Sequence, residues 1–358
     1  MVSVRAVDIS KRFGDFLAVD HVNIEAKDKE LITLLGPSGC GKTTTLRIIS
    51  GLVKPDTGEV YFGEKNVTNV PPHKRNIGFV FQKVALFPHM NVYKNVSFGL
   101  KMKKFPKNEI DKRVKEVLKI VHMEGFEERM PSQLSGGQVQ RIDIARVLAI
   151  DPEVLLFDEP LGHLDAKLRD DLKYEIRRIQ KETGKTAIYV THDQAEAFAI
   201  SDRVYVMNHG KVQQVGTPIE LYLNPKSDFV ADFIGTSNFL EGTVTEIFEN
   251  RLKIRVQDGL ILVSEVMPNV QEYKVNDNVI VSIRPEDIEL LENIKIKENV
   301  FEARVERSTF LGTNTRLSIA LGNRIIKVDL YGPERFKMID SSATTNFHIR
   351  RFTIIKKS

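Results

Sequence analysis

A glycine-rich segment with one lysine, GPSGCGKTT at residues 36–44, follows the apolar run LITLL and precedes a helical pattern. It satisfies G-x-x-x-x-G-K-[ST], in which backbone N–H groups wrap around phosphates and a helix N-terminus adds partial positive charge. We expect Lys42 to reach the β- and γ-phosphates and the Thr43 hydroxyl to hold Mg²⁺. A glycine turn with an exposed lysine is the weaker alternative, given the order of strand, loop and helix. The candidate nucleotide-binding residues of this loop are Gly36, Pro37, Ser38, Gly39, Cys40, Gly41, Lys42, Thr43 and Thr44.

Two acidic residues end the apolar run VLLFDE. At the carboxyl end of a buried strand, the Asp158 carboxylate can occupy the second shell of Mg²⁺, and Glu159 can polarise a water molecule. Two acids at a strand end can equally cap the following turn. The residues alone leave both interpretations open.

The segment LSGGQ at 134–138 offers a second candidate anion site. Ser135 and the glycines Gly136 and Gly137 precede a helix that we expect to begin near Gln138, and a helix N-terminus attracts a phosphate. Because the chain already has a complete phosphate loop, this site is expected to serve the nucleotide of another copy. A helix N-cap followed by a glycine turn is the structural alternative.

Strands and helices must alternate to position these groups. LITLL, VLLF and TAIYVT have the length and branched character of buried parallel strands. Residues 114–121 and 168–179 repeat apolar residues at helical spacing, so an α/β core is predicted for residues 1–235. The opening MVSVRAVDISKRF alternates like an edge strand.

The pattern changes after FIGTSNF at 233–239. Short strand-like pieces separated by Gly, Asn and Asp predict an all-β second domain over residues 236–358, built as one or two small, partly open barrels. The eight pieces are GTVTEIF, RLKIRVQ, LILVSEV, NVIVSIR, FEARVERS, TRLSIAL, RIIKVDL and NFHIRRFTII.

Composition excludes several function classes. The net charge is only +4, and it is balanced in both parts of the chain, so we expect no nucleic-acid partner. Cys40 is the single cysteine, which fits a reducing compartment. We see neither a secretory signal nor the run of about 18 apolar residues that would cross a bilayer. The expected location is cytoplasmic, with any membrane association peripheral.

Taken together, the motifs resemble the ATP-binding cassette (ABC) ATPases, with GPSGCGKTT, FVFQ, LSGGQ, VLLFDEP, LD at 164–165 and YVTHD in the family's order. The resemblance implies a P-loop NTPase fold that binds ATP and Mg²⁺. It also implies a homodimer in which the phosphate loop of one subunit faces the signature residues Ser135, Gly136, Gly137 and Gln138 of the other.

Further roles follow from the same resemblance. Phe13 would stack on adenine, although tyrosine is commoner there, and Gln82 would sense Mg²⁺ and the γ-phosphate. Glu159 would be the general base, Asp165 would connect the two sites, and His192 would contact the γ-phosphate. The implied catalytic set is Lys42, Gln82, Glu159 and His192, and the implied metal set is Thr43, Gln82 and Asp158.

Three residues depart from the family pattern. Val139 replaces a polar residue after LSGGQ, Asp143 replaces a small apolar residue in a helix, and His163 stands where asparagine or alanine is usual. We expect them to alter the rate more than the reaction.

VSIRPEDIEL at 281–290 resembles the OB-like regulatory barrel of importer ATPases, and VALFPHM at 84–90 resembles their permease-docking segment. The implied partners are transmembrane permease subunits and, indirectly, an extracytoplasmic solute-binding protein. Ferric iron, sulfate or a polyamine is the favoured cargo. A carbohydrate importer and, from another class, a soluble non-transport ABC ATPase stay open as alternatives.

Overall fold

The computed structural model of the chain describes residues 2–256, 259–267, 270–291, 298–336 and 339–357. The chain divides into two compact units, the first ending at Ile219 and the second beginning at Glu220. This division falls earlier than residue 235, so two short helices belong wholly or partly to the second unit.

In the first unit the strands are β1 Val4–Phe13, β2 Phe16–Ala26, β3 Leu31–Leu35, β4 Thr57–Phe62, β5 Lys65–Asn66, β6 Ile77–Val80, β7 Val154–Asp158, β8 Thr186–Thr191, β9 Arg203–Asn208 and β10 Lys211–Gly216. The helices are α1 Lys42–Ser50, α2 Val92–Met102, α3 Lys107–Ile120, α4 Gly136–Ala149, α5 Ala166–Thr183 and α6 Gln194–Ile200. None of the described helices combines the length and apolar character that crossing a bilayer requires.

A six-stranded sheet carries the functional motifs, in the order β10-β9-β3-β8-β7-β6. Every neighbouring pair from β9 to β6 is parallel, and β10 joins β9 antiparallel. The predicted strands LITLL, VLLF and TAIYVT are β3, β7 and β8, which are buried along their whole length. One face of this sheet packs against helices α2 to α5, and the other packs against α1 and the strands β1 and β2. Burial on both faces is why these strands are continuously apolar.

A second, antiparallel sheet has the order β2-β1-β4-β5. Because β1 pairs with both β2 and β4, the prediction that it is an edge strand is wrong. Alternation of apolar and polar residues shows that one face of a strand is buried. It does not distinguish an edge strand from an inner strand of an antiparallel sheet.

The helices α2, α3 and α4 pack together around one apolar cluster. The predicted helical stripe of α3 is confirmed, because Val114, Val117 and Leu118 are buried and Val121 is buried just after the helix. On α5, Leu172, Ile176 and Ile179 are buried, whereas Leu168 is only partly so.

The second unit is all-β apart from short helices, as predicted. Its helices are α7 Pro218–Leu223 and α8 Asp228–Phe233, and its strands are β11 Asn238–Phe248, β12 Arg251–Val256, β13 Ile261–Val263, β14 Asn278–Ile283, β15 Ile288–Leu291, β16 Val300–Phe310, β17 Thr315–Leu321, β18 Arg324–Leu330, β19 Thr344–Ile349 and β20 Thr353–Lys356. They form two five-stranded sheets, β13-β12-β11-β14-β20 and β15-β19-β16-β17-β18. The piece NFHIRRFTII proves to be two strands that belong to different sheets.

Candidate active site

Two positions in the 36–44 loop must be glycine, because any side chain there would collide with a neighbouring backbone. A Cβ on Gly36 would lie 2.3 Å from the Met207 carbonyl oxygen, and one on Gly41 would lie 2.3 Å from that of Ala18. Gly41 also has a φ of 101°, which side chains rarely adopt. The loop is therefore held close to β9 and β2, with its backbone turned towards the start of α1.

The ammonium group of Lys42 is folded into this loop. It donates to the carbonyl oxygens of Gly36 at 2.8 Å and Pro37 at 2.9 Å, and the residue is only 3% exposed. The alternative of an exposed lysine therefore does not hold. Cys40 is buried in the same loop, and its burial raises the pKa of the thiol despite the nearby Lys42. A raised pKa keeps the thiol neutral at pH 7, so the side chain of Cys40 adds no charge to the loop.

Thr43 and Asp158 meet where α1 begins and β7 ends. The Thr43 hydroxyl donates to Asp158 Oδ1 at 2.9 Å, and Arg47 lies 3.8 Å from Asp158 Oδ2. Burial raises the pKa of Asp158, while Thr43 and Arg47 oppose that shift. The side chains thus offer a hydroxyl and a carboxylate, the hard oxygen donors that suit Mg²⁺.

Among the described residues, no three His, Cys, Asp or Glu side chains are grouped so that they could hold a metal ion. In nucleotide sites Mg²⁺ takes much of its coordination from phosphates and water. Thr43, Asp158 and Gln82 are the side chains that could complete it.

Glu159 has an uncommon backbone conformation, with a φ of 44° and its N–H donating to the Val190 carbonyl at 3.0 Å. A non-glycine residue in the left-handed region costs roughly 1–3 kcal/mol and persists only where the surroundings impose it. Its Oε2 accepts from Gln82 Nε2 at 3.5 Å and lies 3.2 Å from His192 Nδ1. The carboxylate therefore contacts two other candidate residues, which favours a shared site over a cap on the following turn.

LSGGQ is built as a capped helix start. The helix α4 begins at Gly136, two residues before its predicted start near Gln138. Ser135 Oγ accepts from Gln138 N at 3.4 Å, while Gln138 Oε1 accepts from Ser135 N at 3.0 Å. This reciprocal capping box is the structural alternative that the sequence left open, and it also fixes the helix N-terminus in which an anion would be held.

Packing, rather than an unusual backbone, explains why residue 137 of α4 is a glycine. A Cβ on Gly137 would lie 2.6 Å from Leu168 Cδ1 on α5. Within the described part of the chain, no hydrogen bond or ion pair joins Ser135 to the 36–44 loop. The structure therefore brings Lys42, Thr43 and Asp158 together, and Gln82 with Glu159 and His192, but leaves the LSGGQ residues apart from them.

The remaining predicted residues lie at the margins of the site. Phe13 ends β1 and is 51% exposed. Asp165 is the N-cap of α5 and accepts from Leu168 N at 3.0 Å. His163, between β7 and α5, is exposed, and Val139 is partly buried.

Sequence reasoning missed Arg47 and the environment of Asp143. Arg47 lies four residues after Thr43 on α1, a spacing that places both on one helix face and could have identified it. Asp143 is only 2% exposed, and burial raises its pKa to about 6. Flanking Ile142 and Ile144 gave no amphipathic signal that would reveal this.

Comparison with known proteins identifies the family. The profile described as "ABC transporter" matches residues 19–162, and that of the TOBE domain matches residues 281–338. A spermidine/putrescine import ATP-binding protein PotA from Clostridioides difficile is 48% identical over 322 residues, covering 89% of this chain and 88% of the relative. The PotA protein of Rubrobacter xylanophilus is 48% identical over 315 residues, covering 88% and 82%. The chain belongs to the ABC transporter family.

Solved ABC structures agree with this assignment. CbiO1 of Clostridium perfringens, part of the ABC transporter complex cbiONQ, has a TM-score of 0.58 at 33% identity and covers 61% of this chain and 89% of its own. A dimeric bacterial ABC transporter cassette has a TM-score of 0.53 at 35% identity, covering 60% and 98%. The predicted family and fold class are confirmed. This ABC chain is the ATP-binding subunit of an import system, and it hydrolyses ATP in a reaction coupled to transport.

Proposed function

We propose that this subunit powers the uptake of a polyamine such as spermidine or putrescine. The observation that carries the proposal is the similarity to PotA proteins. The relatives from Clostridioides difficile and Rubrobacter xylanophilus are both 48% identical, over 89% and 88% of this chain. Such coverage includes residues of both units. Among the cargoes that the sequence left open, this similarity leads us to propose the polyamine.

In the proposed reaction Glu159 accepts a proton from the attacking water, and Gln82 and His192 surround the γ-phosphate. These roles are supported by the contacts that Gln82 and His192 make with Glu159 Oε2, at 3.5 Å and 3.2 Å respectively. Lys42 binds the β- and γ-phosphates. Thr43, Gln82 and Asp158 would hold Mg²⁺, which would neutralise phosphate charge and help to orient the γ-phosphate. Phe13 stacks on the adenine.

The proposed active form is a homodimer. Ser135, Gly136, Gly137 and Gln138 of one subunit would complete the nucleotide site of the other. Two observations support this. Within the described residues, no hydrogen bond or ion pair joins Ser135 to the phosphate loop of its own chain. The related bacterial cassette, 98% of which is covered by the comparison, was solved as a dimer. Asp165 would lie near the contact between the two sites.

The proposed partners are transmembrane permease subunits, which place the chain on the cytoplasmic face of the membrane, and indirectly an extracytoplasmic solute-binding protein. The segment 84–90 supports a docking role, because Ala85, Pro88 and His89 are exposed. Its anchor is Phe87, whose ring lies 4.7 Å from that of Phe98 on α2.

Uptake in a strain lacking this chain tests the proposal. Radiolabelled spermidine, putrescine, sulfate, ferric iron and maltose would be compared after complementation with the parent or with Glu159→Gln. We expect polyamine uptake to return only with the parent. Restoration of sulfate, iron or sugar uptake instead of polyamine uptake would overturn the assigned cargo.

A further inference from the structure

A small cavity lies beside the proposed docking segment, between β6, α2 and α4. Its volume is about 220 Å³, and Phe81 and Ala85 contribute to its wall. Most of the lining is apolar, and it includes Ile77, Phe79, Phe98, Val147 and Ile150. Of the residues described around it, only Asp143 and Arg146 carry a charge.

Asp143 lines this cavity, and one oxygen of its carboxylate accepts no hydrogen bond from the described residues. Asp143 is 2% exposed, and its Oδ2 has no hydrogen-bond partner in the part of the chain that the structure describes. Arg146 and the Ala85 backbone N–H offset part of the cost of burying this charge, but within the described residues no hydrogen bond to Oδ2 replaces the water that this atom has lost. The arrangement therefore favours a donor that enters the cavity from outside.

Arg146 does not fill this role, although it is three residues away on the same helix. Its Nη1 donates to the Ala85 carbonyl oxygen, and its guanidinium carbon lies 4.5 Å from the centre of the Phe87 ring. These contacts commit the guanidinium to the docking segment. Asp143 Oδ2 is left as the open acceptor.

The aromatic lining favours a cation over a neutral donor. The rings of Phe79 and Phe81 are 4.4 Å apart, and a guanidinium or ammonium group is attracted to an aromatic face. A carboxylate at the base and phenyl rings on the walls suit the end of an arginine or lysine side chain. The proposed docking of the permease to residues 84–90 brings such a side chain to this cavity.

We propose that the cavity receives one basic side chain from the docking helix of the permease, with Asp143 Oδ2 as its acceptor. The inference rests on the proposed permease partner, and it makes Asp143 a determinant of which permease this subunit recognises. A small apolar residue, usual at this position in the family, could not supply the acceptor. Charge pairs of this kind contribute specificity because a mismatched partner leaves the carboxylate unpaired.

Titration of the full-length chain with n-butylguanidinium, an analogue of the arginine side chain, tests the cavity directly. The amide NMR signals of Ala85 and Gly99 would report binding, with n-butylurea as the neutral probe of matched shape. We expect n-butylguanidinium to bind at least tenfold more tightly than n-butylurea, and Asp143→Asn to remove that preference. The control Glu109→Gln, which removes an exposed carboxylate on α3, should keep it. Equal binding of the two probes, or an unchanged preference in Asp143→Asn, would overturn the proposal.

Rebinding to membranes tests the macromolecular partner. Inside-out vesicles from cells that express the transporter would be stripped of this chain and titrated with the parent, Asp143→Asn or Glu109→Gln. We expect at least tenfold weaker rebinding for Asp143→Asn alone; rebinding equal to that of the parent would refute the role of Asp143. If the asparagine variant does not fold, Asp143→Ala gives the same comparison. Neither assay uses a transported solute, so failure of the polyamine assignment would appear in uptake and not here.

Discussion

Replacing Asp143 by asparagine removes a buried negative charge while keeping the size of the side chain. Burial raises the pKa of Asp143 from its ordinary 3.8 to about 6, against the opposing effects of Arg146 and the Ala85 backbone N–H. Between these two values the folded chain holds a proton that the unfolded chain releases. Stability of the parent therefore falls as the pH rises through this window, and the full cost is present above it.

The size of the effect follows from the shift in the pKa of about two units. At about 1.4 kcal/mol per unit, the ionised carboxylate lowers the free energy of unfolding by about 3 kcal/mol at pH 8. Roughly half of that cost, about 1.5 kcal/mol, develops between pH 5 and pH 8. Asparagine does not titrate, so the stability of Asp143→Asn relative to the parent should increase by that amount over this interval.

Urea unfolding at pH 5 and pH 8 measures this difference. Hydrogen exchange of the amides in β7, monitored during the urea titration, reports the stability of the first unit. Glu109→Gln is the matched control, because its carboxylate is exposed. The reasoning is refuted if the stability difference between Asp143→Asn and the parent is the same at both pH values, or if it shrinks at pH 8.

Two further substitutions test the phosphate loop and the start of α4. Lys42→Ala should lower the rate of ATP hydrolysis at least a hundredfold, since one preorganised donor to developing charge contributes roughly 3 kcal/mol. A near-parental rate in a steady-state ATPase assay would contradict the assignment. Gly137→Ala should destabilise the first unit by about 1–3 kcal/mol through its contact with Leu168, whereas Gly136→Ala, with a nearest contact of 3.3 Å, should cost less. Urea titrations of both variants and of the double variant Gly137→Ala/Leu168→Ala check this, and equal stability of the two alanine variants would argue against the packing explanation.

Continuous apolar runs predicted the parallel sheet well. LITLL, VLLF and TAIYVT are buried on both faces, so their patterns leave little choice of structure. The place of β1 could not be read in the same way, because hydrogen bonding to a second neighbour leaves no trace in the alternation of side chains. The split of NFHIRRFTII into β19 and β20 was missed for a similar reason, since nothing in Arg350 and Arg351 specifies a break.

Motif order predicted which residues belong to the candidate site, and the structure adds how they are held. Gln82 and His192 both contact Glu159, and Glu159 has a left-handed backbone that its residue type does not predict. The sequence also does not show that residue 137 must be small because it packs against Leu168. Such tertiary contacts join residues far apart in the chain, and only the folded structure reveals them.

The central claim is that Glu159 accepts the proton from the attacking water in a MgATP-dependent hydrolysis. Glutamine at this position keeps the length and the reach to Gln82 and His192, but it cannot act as a base. The decisive measurement is ATP turnover and ATP affinity of Glu159→Gln, taken together on folded protein. We predict that turnover falls at least a hundredfold while affinity stays within a few-fold of the parent. Turnover near the parental rate, or an affinity that collapses in parallel with it, would contradict the account.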